Sequence, residues 1–177
     1  MMNATRSTSG NSAVPLRGGP GASLLRAVAC AILMVAVAAI GGAVTSAQIP
    51  TWYATLPKPS FTPPNAVFPV AWTTLYFMMG ISLWRLWDRA PEGPDRRRAL
   101  TLFLVQLALN FAWSPVFFAL HAVWTAFAII LALIVAVAAT LRFALRADAL
   151  AGWLLVPYLL WLCFACLLNG SIAFALG

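Results

Sequence analysis

Apolar residues fall into five runs of about twenty, separated by short stretches rich in Pro, Gly or Arg. The runs extend from Leu24 to Ala47, Asn65 to Trp87, Ala99 to Phe118, Ala122 to Leu145 and Leu150 to Ile172. As helices, stretches of about 20 residues cross a ~30 Å hydrocarbon core. None of the five contains Asp or Glu, and the Arg residues lie at or near their ends, where long stems carry the charge to the headgroups. The alternating ten-residue pattern of a membrane barrel is absent. The pattern predicts an all-α fold: an integral membrane bundle of five transmembrane helices.

Composition agrees with the pattern. Of 177 residues, 63% are hydrophobic and 8% are charged, and the mean hydropathy is +0.91. A soluble domain carries about a quarter of its residues charged, so most of this surface must meet lipid. Residues 1–23 differ in kind, with Ser, Thr, Gly, Pro, Asn and Arg and few large apolar side chains. They are expected to form a disordered cytoplasmic tail ahead of a membrane domain spanning residues 24–177. The alternative is a signal peptide, with Arg26 in its basic region and cleavage after "TSA" at Ala47. The apolar run is longer than the 7–15 residues of a signal core, which favours a retained first span.

Charge sets the expected orientation. With five spans, all ten Arg lie on one side or at that end of a span, and the other side holds only Lys58 and His121. The positive-inside rule places the N-terminus in the cytoplasm and the C-terminus outside. The same asymmetry accounts for a pI near 10.4 without a nucleic-acid partner. "RRR" at 96–98 reads as a topology signal that also meets lipid headgroups.

Some features carry less. Cys163 and Cys166 form "CFAC" within an apolar span, without the basic neighbours or helix N-terminus that activate a thiol. They read as packing residues, as does Cys30. A metal site lacks further ligands nearby, since the single His lies in a loop. Small residues recur every four positions: Ala128, Ala132, Ala136 and Thr140, then Ala38 and Gly42, then Ala108 and Ala112. Such stripes permit close helix approach, either within the bundle or in a homodimer.

Polar and aromatic residues inside the spans carry more. Gln106, Asn110 and Ser114 recur at four-residue steps with Trp113 beside them. Tyr158, Trp161, Ala165 and Asn169 share a face of the fifth span, and Trp72 and Tyr76 share one in the second. Amides at lipid depth must face protein or a cavity, because an unpaired one costs several kcal/mol. At ~1.5 Å per residue, Trp72 lies roughly 10 Å, Trp113 about 8 Å and Trp161 about 16 Å below the outer ends of their helices. Trp84, Trp87, Trp124 and Trp153 lie at span ends, where an interfacial belt accounts for them. The link between the first two spans holds Pro57, Pro59, Pro63 and Pro64 among Trp52, Tyr53 and Phe61. Its stiffness and apolar faces suit a lid over the outer helix ends, or a rigid spacer anchored by its aromatics.

Three blocks, "WYATLPKPSFTPPNAVFPVAWTTLYFMMG", "QLALNFAWSPVFF" and "PYLLWLCFACLLN", resemble the TspO/MBR family, the tryptophan-rich sensory proteins whose mitochondrial relative is the translocator protein. The resemblance covers residues from about 25 to 172. It implies a five-helix bundle that often forms a homodimer, with a pocket in the outer half for tetrapyrroles such as protoporphyrin IX and other flat apolar ligands. Carried onto this chain, the ligand-binding residues are Tyr53, Trp72, Asn110, Trp113, Trp161 and Ala165, with Gln106 at a nearby position. No cofactor is required; a porphyrin would be the ligand. The cholesterol-recognition pattern of the mammalian branch needs Tyr followed by Lys or Arg. "LLNGSIAFALG" has neither, which puts sterol recognition by that pattern in doubt.

Three functional classes follow. A binding, sensing or transport role suits an aromatic pocket with few polar groups. The alternative is light- or oxygen-dependent breakdown of bound protoporphyrin, with Trp72 and Trp161 as candidate redox partners. The residues supply no acid–base pair, no nucleophile with a base and no metal set, so the binding role leads. A proton-coupled exporter finds no acidic residue inside any expected span. The apolar helices and the Arg bias point to the cytoplasmic membrane of a bacterium.

Overall fold

The computed structural model describes residues 18–177. The expected tail up to residue 17 lies outside the described residues. Helix α1 spans Gly19–Gln48, and a single turn, α2, spans Trp52–Thr55. The remaining helices are α3 (Val67–Asp88), α4 (Pro94–Ser114), α5 (Val123–Ala147), α6 (Ala149–Trp153) and α7 (Val156–Leu176). Among the described residues, five helical segments are long and apolar enough to cross a membrane, with α4 extended to Ala119 and α6 joined to α7. The protein is an integral, multi-pass, all-α membrane bundle.

Helix ends depart from the expected runs where polar residues begin or end a helix. α1 starts at Gly19, five residues before Leu24, where Gly18 and Gly19 turn the chain with φ of +76° and +80°, a region open to glycine. Pro94 opens α4 inside its first turn, with Asp95 favouring the helix N-terminus. The arginines at 96–98 therefore lie inside the helix, and the loop expected from Asp88 to Arg98 contracts to residues 89–93. Arg96 closes the other side of this loop, donating from Nε to the Leu86 carbonyl at 2.8 Å and from Nη2 to that of Trp87 at 2.8 Å.

Two prolines interrupt the spans. Pro115 has no N–H for the ladder, and the chain widens into a π-helical turn over Pro115–Ala119, where Leu120 N–H reaches the Pro115 carbonyl at 2.9 Å. Pro157 likewise leaves the Trp153 carbonyl without its i+4 donor. The fifth span breaks there into α6 and α7, and Leu155 N–H closes a tight turn on the Gly152 carbonyl at 2.9 Å.

The five long helices form a closed ring in the order α1, α3, α7, α5, α4. The α4–α5 seam is the most extensive, while α3 and α7 touch little. Side chains hold those two apart: Trp72 of α3 meets Tyr158 and Trp161 of α7 edge-on, with ring centroids 6.3 and 6.4 Å apart. The small-residue stripes serve different ends. Ala136 and Thr140 are buried, Ala108, Ala128 and Ala132 are exposed, and Ala38 and Gly42 line a cavity.

Ion pairs lock the arginine-rich end. Asp88 is buried, where the sequence pattern suggests a loop residue. It accepts from Ser23 Oγ at 2.8 Å and Arg26 Nη1 at 2.6 Å, which ties α1 to α3, and Arg89 Nε lies 3.5 Å away. Arg85 grips Asp148 with two nitrogens, at 3.1 and 2.9 Å, and Asp148 caps α6 by accepting from Ala151 N–H at 2.9 Å. The acidic residue at the end of the second span is thus a structural counter-ion. The Cys residues are unpaired: Cys30 is buried, Cys163 exposed and Cys166 intermediate.

Candidate functional site

At the end away from the arginines, a cavity of about 290 Å³ opens between α1, α3, α4 and α7. Trp72 comes from α3, Trp113 from α4 and Trp161 from α7, and all three line it. Their estimated depths meet here because the helices alternate in direction. Trp113 stacks on Phe117 at 5.1 Å, and Phe68 approaches the Trp161 ring edge-on at 6.0 Å. On the α1 side the wall is Ala38, Gly41 and Gly42, side chains too small to fill the space.

The floor is a hydrogen-bonded layer. Asn110 Oδ1 accepts from the Tyr76 hydroxyl at 2.5 Å, and Asn110 Nδ2 donates to the Tyr158 hydroxyl at 3.0 Å. Asn110 thereby links α3, α4 and α7 with its amide satisfied on both ends. A second amide, Asn169, accepts from Trp113 Nε1 at 3.2 Å and donates to the Val123 carbonyl at 3.2 Å. That bond fixes the Trp113 ring and joins α4, α7 and the start of α5. Trp161 differs: its Nε1 is buried and has no partner. An acceptor on a ligand would satisfy it.

The proline-rich link packs down as a roof. Tyr53 is buried, lines the cavity and packs on Phe118 at 5.6 Å. Burial raises its phenol above the usual value of 10.0, so the hydroxyl is neutral at physiological pH. Trp52 stacks on His121 with centroids 4.1 Å apart. His121 holds a left-handed φ of +54°, which few non-glycine residues adopt. Lys58 Nζ donates to the carbonyls of Tyr53, Ala54 and Leu56 at 2.7, 3.3 and 3.3 Å, tying off the end of α2.

Of the residues singled out by sequence, Tyr53, Trp72, Asn110, Trp113, Trp161 and Ala165 line the cavity. Gln106 does not. It is buried one turn beyond Asn110, under the Tyr76–Asn110–Tyr158 floor, and both its amide atoms lack partners. Phe68, Phe117 and Asn65 line the cavity without having been singled out. Phe117 follows Trp113 by four residues and Asn110 by seven, so helical spacing already puts it on their face, and the π-helical turn keeps it there. Trp84, half-buried near the arginine-rich end of α3, has its Nε1 buried without a partner and the Arg89 guanidinium over its ring at 5.1 Å. Among the described residues, no three His, Cys, Asp or Glu side chains group to hold a metal ion.

A five-helix membrane bundle enclosing a tryptophan-lined cavity under a proline-rich roof defines the class structurally. The chain matches the TspO/MBR family over residues 29–175 and belongs to it. The match begins inside α1, so the first span is part of the family domain. The chain is similar to a tryptophan-rich protein TspO of Archaeoglobus fulgidus, 39% identical over 150 residues that cover 85% of this chain and 96% of that one. It is 38% identical to protein CrtK of Rhodobacter capsulatus over 142 residues, covering 80% and 89% of the two chains. The Homo sapiens translocator protein is 40% identical over 119 residues, covering 67% of this chain and 70% of its own.

Proposed function

We propose that this protein binds porphyrins such as protoporphyrin IX, and similar flat apolar ligands, in the aromatic cavity, serving a sensory or transport role. The observation that carries the reading is the convergence of Trp72, Trp113 and Trp161 from three helices on one cavity. Stacking and edge contacts favour a planar aromatic ligand, and the orphan Trp161 N–H offers one directional contact for an acceptor such as a carboxylate. The relatives named as sensory and translocator proteins support the same role. At about 290 Å³ the cavity sits at the lower edge of small-molecule sites, roughly 300–1,000 Å³. A substituted macrocycle needs more room, so binding it requires the roof to lift or the ligand to extend past the α1 wall.

The role is one of binding rather than catalysis. Asn110 and Asn169 are committed to structural hydrogen bonds, and neither is an acid or a base near neutral pH. The second reading is light- or oxygen-dependent breakdown of bound protoporphyrin, favoured by the 6.4 Å approach of the Trp72 and Trp161 rings. Titrating purified protein with protoporphyrin IX in darkness and then in light tests both. Saturable binding with unchanged porphyrin in light supports the binder, and protein-dependent loss of porphyrin absorbance in light supports breakdown.

The arginine-rich end is assigned to the cytoplasm on the charge asymmetry, with the N-terminus inside, the C-terminus outside, and the bacterial cytoplasmic membrane as the location. Homodimer formation through an exposed helix face belongs to the same proposal.

A further inference from the structure

The aromatic cavity is not walled off along α1. A second concavity, of about 400 Å³, runs between α1 and α3. It starts at Ala27 and Trp84 near the arginine-rich end and rises past Met34 and Gly80. At its upper end it shares Ala38, Thr73 and Tyr76 with the aromatic cavity, so the two spaces adjoin at those residues. The α1 wall at the junction is Ala38 with Gly41 and Gly42 beyond it, and it carries no bulky side chain. The rim residues Val35 and Phe77 are 66% and 70% exposed, which at this depth means exposed to hydrocarbon. α1 also buries the smallest share of its length of the five spans.

We propose that the α1–α3 groove is the membrane-side entrance to the aromatic cavity, admitting flat apolar ligands from the leaflet at the arginine-rich end. The inference rests on the binding role proposed above. Two physical arguments favour this route over the roof. An apolar ligand is concentrated in the bilayer, and reaching the cavity from above would return its apolar surface to water. Lifting the roof also breaks the Trp52–His121 stack, the Tyr53–Phe118 contact and the Lys58 bonds, whereas a path along the groove breaks none of them. Trp84 closes the lower end of the groove. The buried Trp84 N–H has no partner, and the Arg89 guanidinium lies over the same ring.

Filling the groove tests the route. Val35→Trp places bulk on the rim without touching the cavity lining, and Ala31→Trp, one turn nearer the arginine-rich end, repeats the block; both positions face lipid. Ile40→Trp, on the same helix, exposed and outside both concavities, is the control. Association and dissociation of protoporphyrin IX are followed in vesicles by porphyrin absorbance. Val35→Trp and Ala31→Trp should each slow both rates by the same factor, about five-fold or more, leaving the equilibrium constant unchanged. Ile40→Trp should change neither. Parent rates in both blocked variants overturn the entrance while leaving the cavity as the binding site. Weaker equilibrium binding at an unchanged association rate also overturns it, because the substituted residue then touches bound ligand. Failure of the parent protein to bind saturably overturns the binding role and the entrance with it.

Discussion

The Tyr76 hydroxyl donates to Asn110 Oδ1 at 2.5 Å, so α3 and α4 meet at a polar contact on the floor of the aromatic cavity. The opposite end of the same amide holds Tyr158. Removing it orphans two hydroxyls at once, each costing about 1–3 kcal/mol when buried. Asn110→Ala should therefore lower the Tm of ligand-free protein by several degrees, and Tyr76→Phe by less. An Asn110→Ala protein as heat-stable as the parent would mean that the layer does not hold the floor together.

Trp161 separates stacking from hydrogen bonding. Trp161→Phe keeps an aromatic face and loses the indole N–H, so porphyrin affinity should fall modestly. Trp161→Ala should cost on the order of 1–3 kcal/mol by analogy with base stacking on aromatic side chains. Trp153 is 64% exposed and outside the cavity, and Trp153→Phe should leave the titration unchanged. Equal losses at Trp153 and Trp161 would point to partition into lipid or detergent instead of a site.

The roof should govern residence time. Tyr53→Ala removes both a cavity contact and the Phe118 anchor, so ligand release should accelerate more than capture slows. Because burial raises the Tyr53 phenol above 10.0 in the closed roof, closure is fully favoured below that pH. It weakens as pH rises past the value of the exposed phenol, so release should also accelerate in that alkaline range, and Tyr53→Phe should abolish the acceleration. Release rates identical in Tyr53→Ala and parent would reduce the link to a spacer.

Gly152 is sterically required. A Cβ there would lie 2.6 Å from Leu145 Cδ2 and 2.8 Å from the Leu145 backbone nitrogen. The backbone cannot yield as a flexible side chain can, so Gly152→Ala should destabilise by ~1–3 kcal/mol. At Gly93 a Cβ meets nothing within 4 Å, and Gly93→Ala should leave thermal stability at the parent value. Matching melting curves for the two variants would contradict the packing of α6 on α5.

Topology is checked by fusion. A C-terminal reporter that functions only in the periplasm should be active, and a reporter that requires the cytoplasm should be silent. The reverse pattern would overturn the orientation assigned from the arginines.

Hydropathy made the five spans legible, because the demand of a ~30 Å hydrocarbon core leaves few ways to arrange five apolar runs. It did not mark helix ends, since the arginines at 96–98 continue a helix into the headgroup region as readily as they would end one. Nor did it show the consequences of Pro115 and Pro157. A proline announces a missing hydrogen bond, but the response, a π-helical turn in one case and a split helix in the other, is set by packing. Four-residue spacing aligned Gln106 with Asn110 on one helical face, yet face is not depth. One turn was enough to put Gln106 below the hydrogen-bonded floor. Asp88, one residue past an apolar run, gave no sign in sequence of being buried by Ser23 and Arg26 from 62 or more residues away.

α1 runs for 30 residues, about 45 Å at 1.5 Å per residue, while its neighbour α3 has 22. A rod of that length exceeds the hydrocarbon thickness, and a mismatched helix relieves the excess by leaning. Held to Asp88 at one end, α1 leans most at the other, beside the small-residue wall of the cavity. A thin bilayer should tilt it away from α3, and a thick one should stand it upright against α3. Membrane thickness thereby becomes a variable in how fast the cavity exchanges its contents.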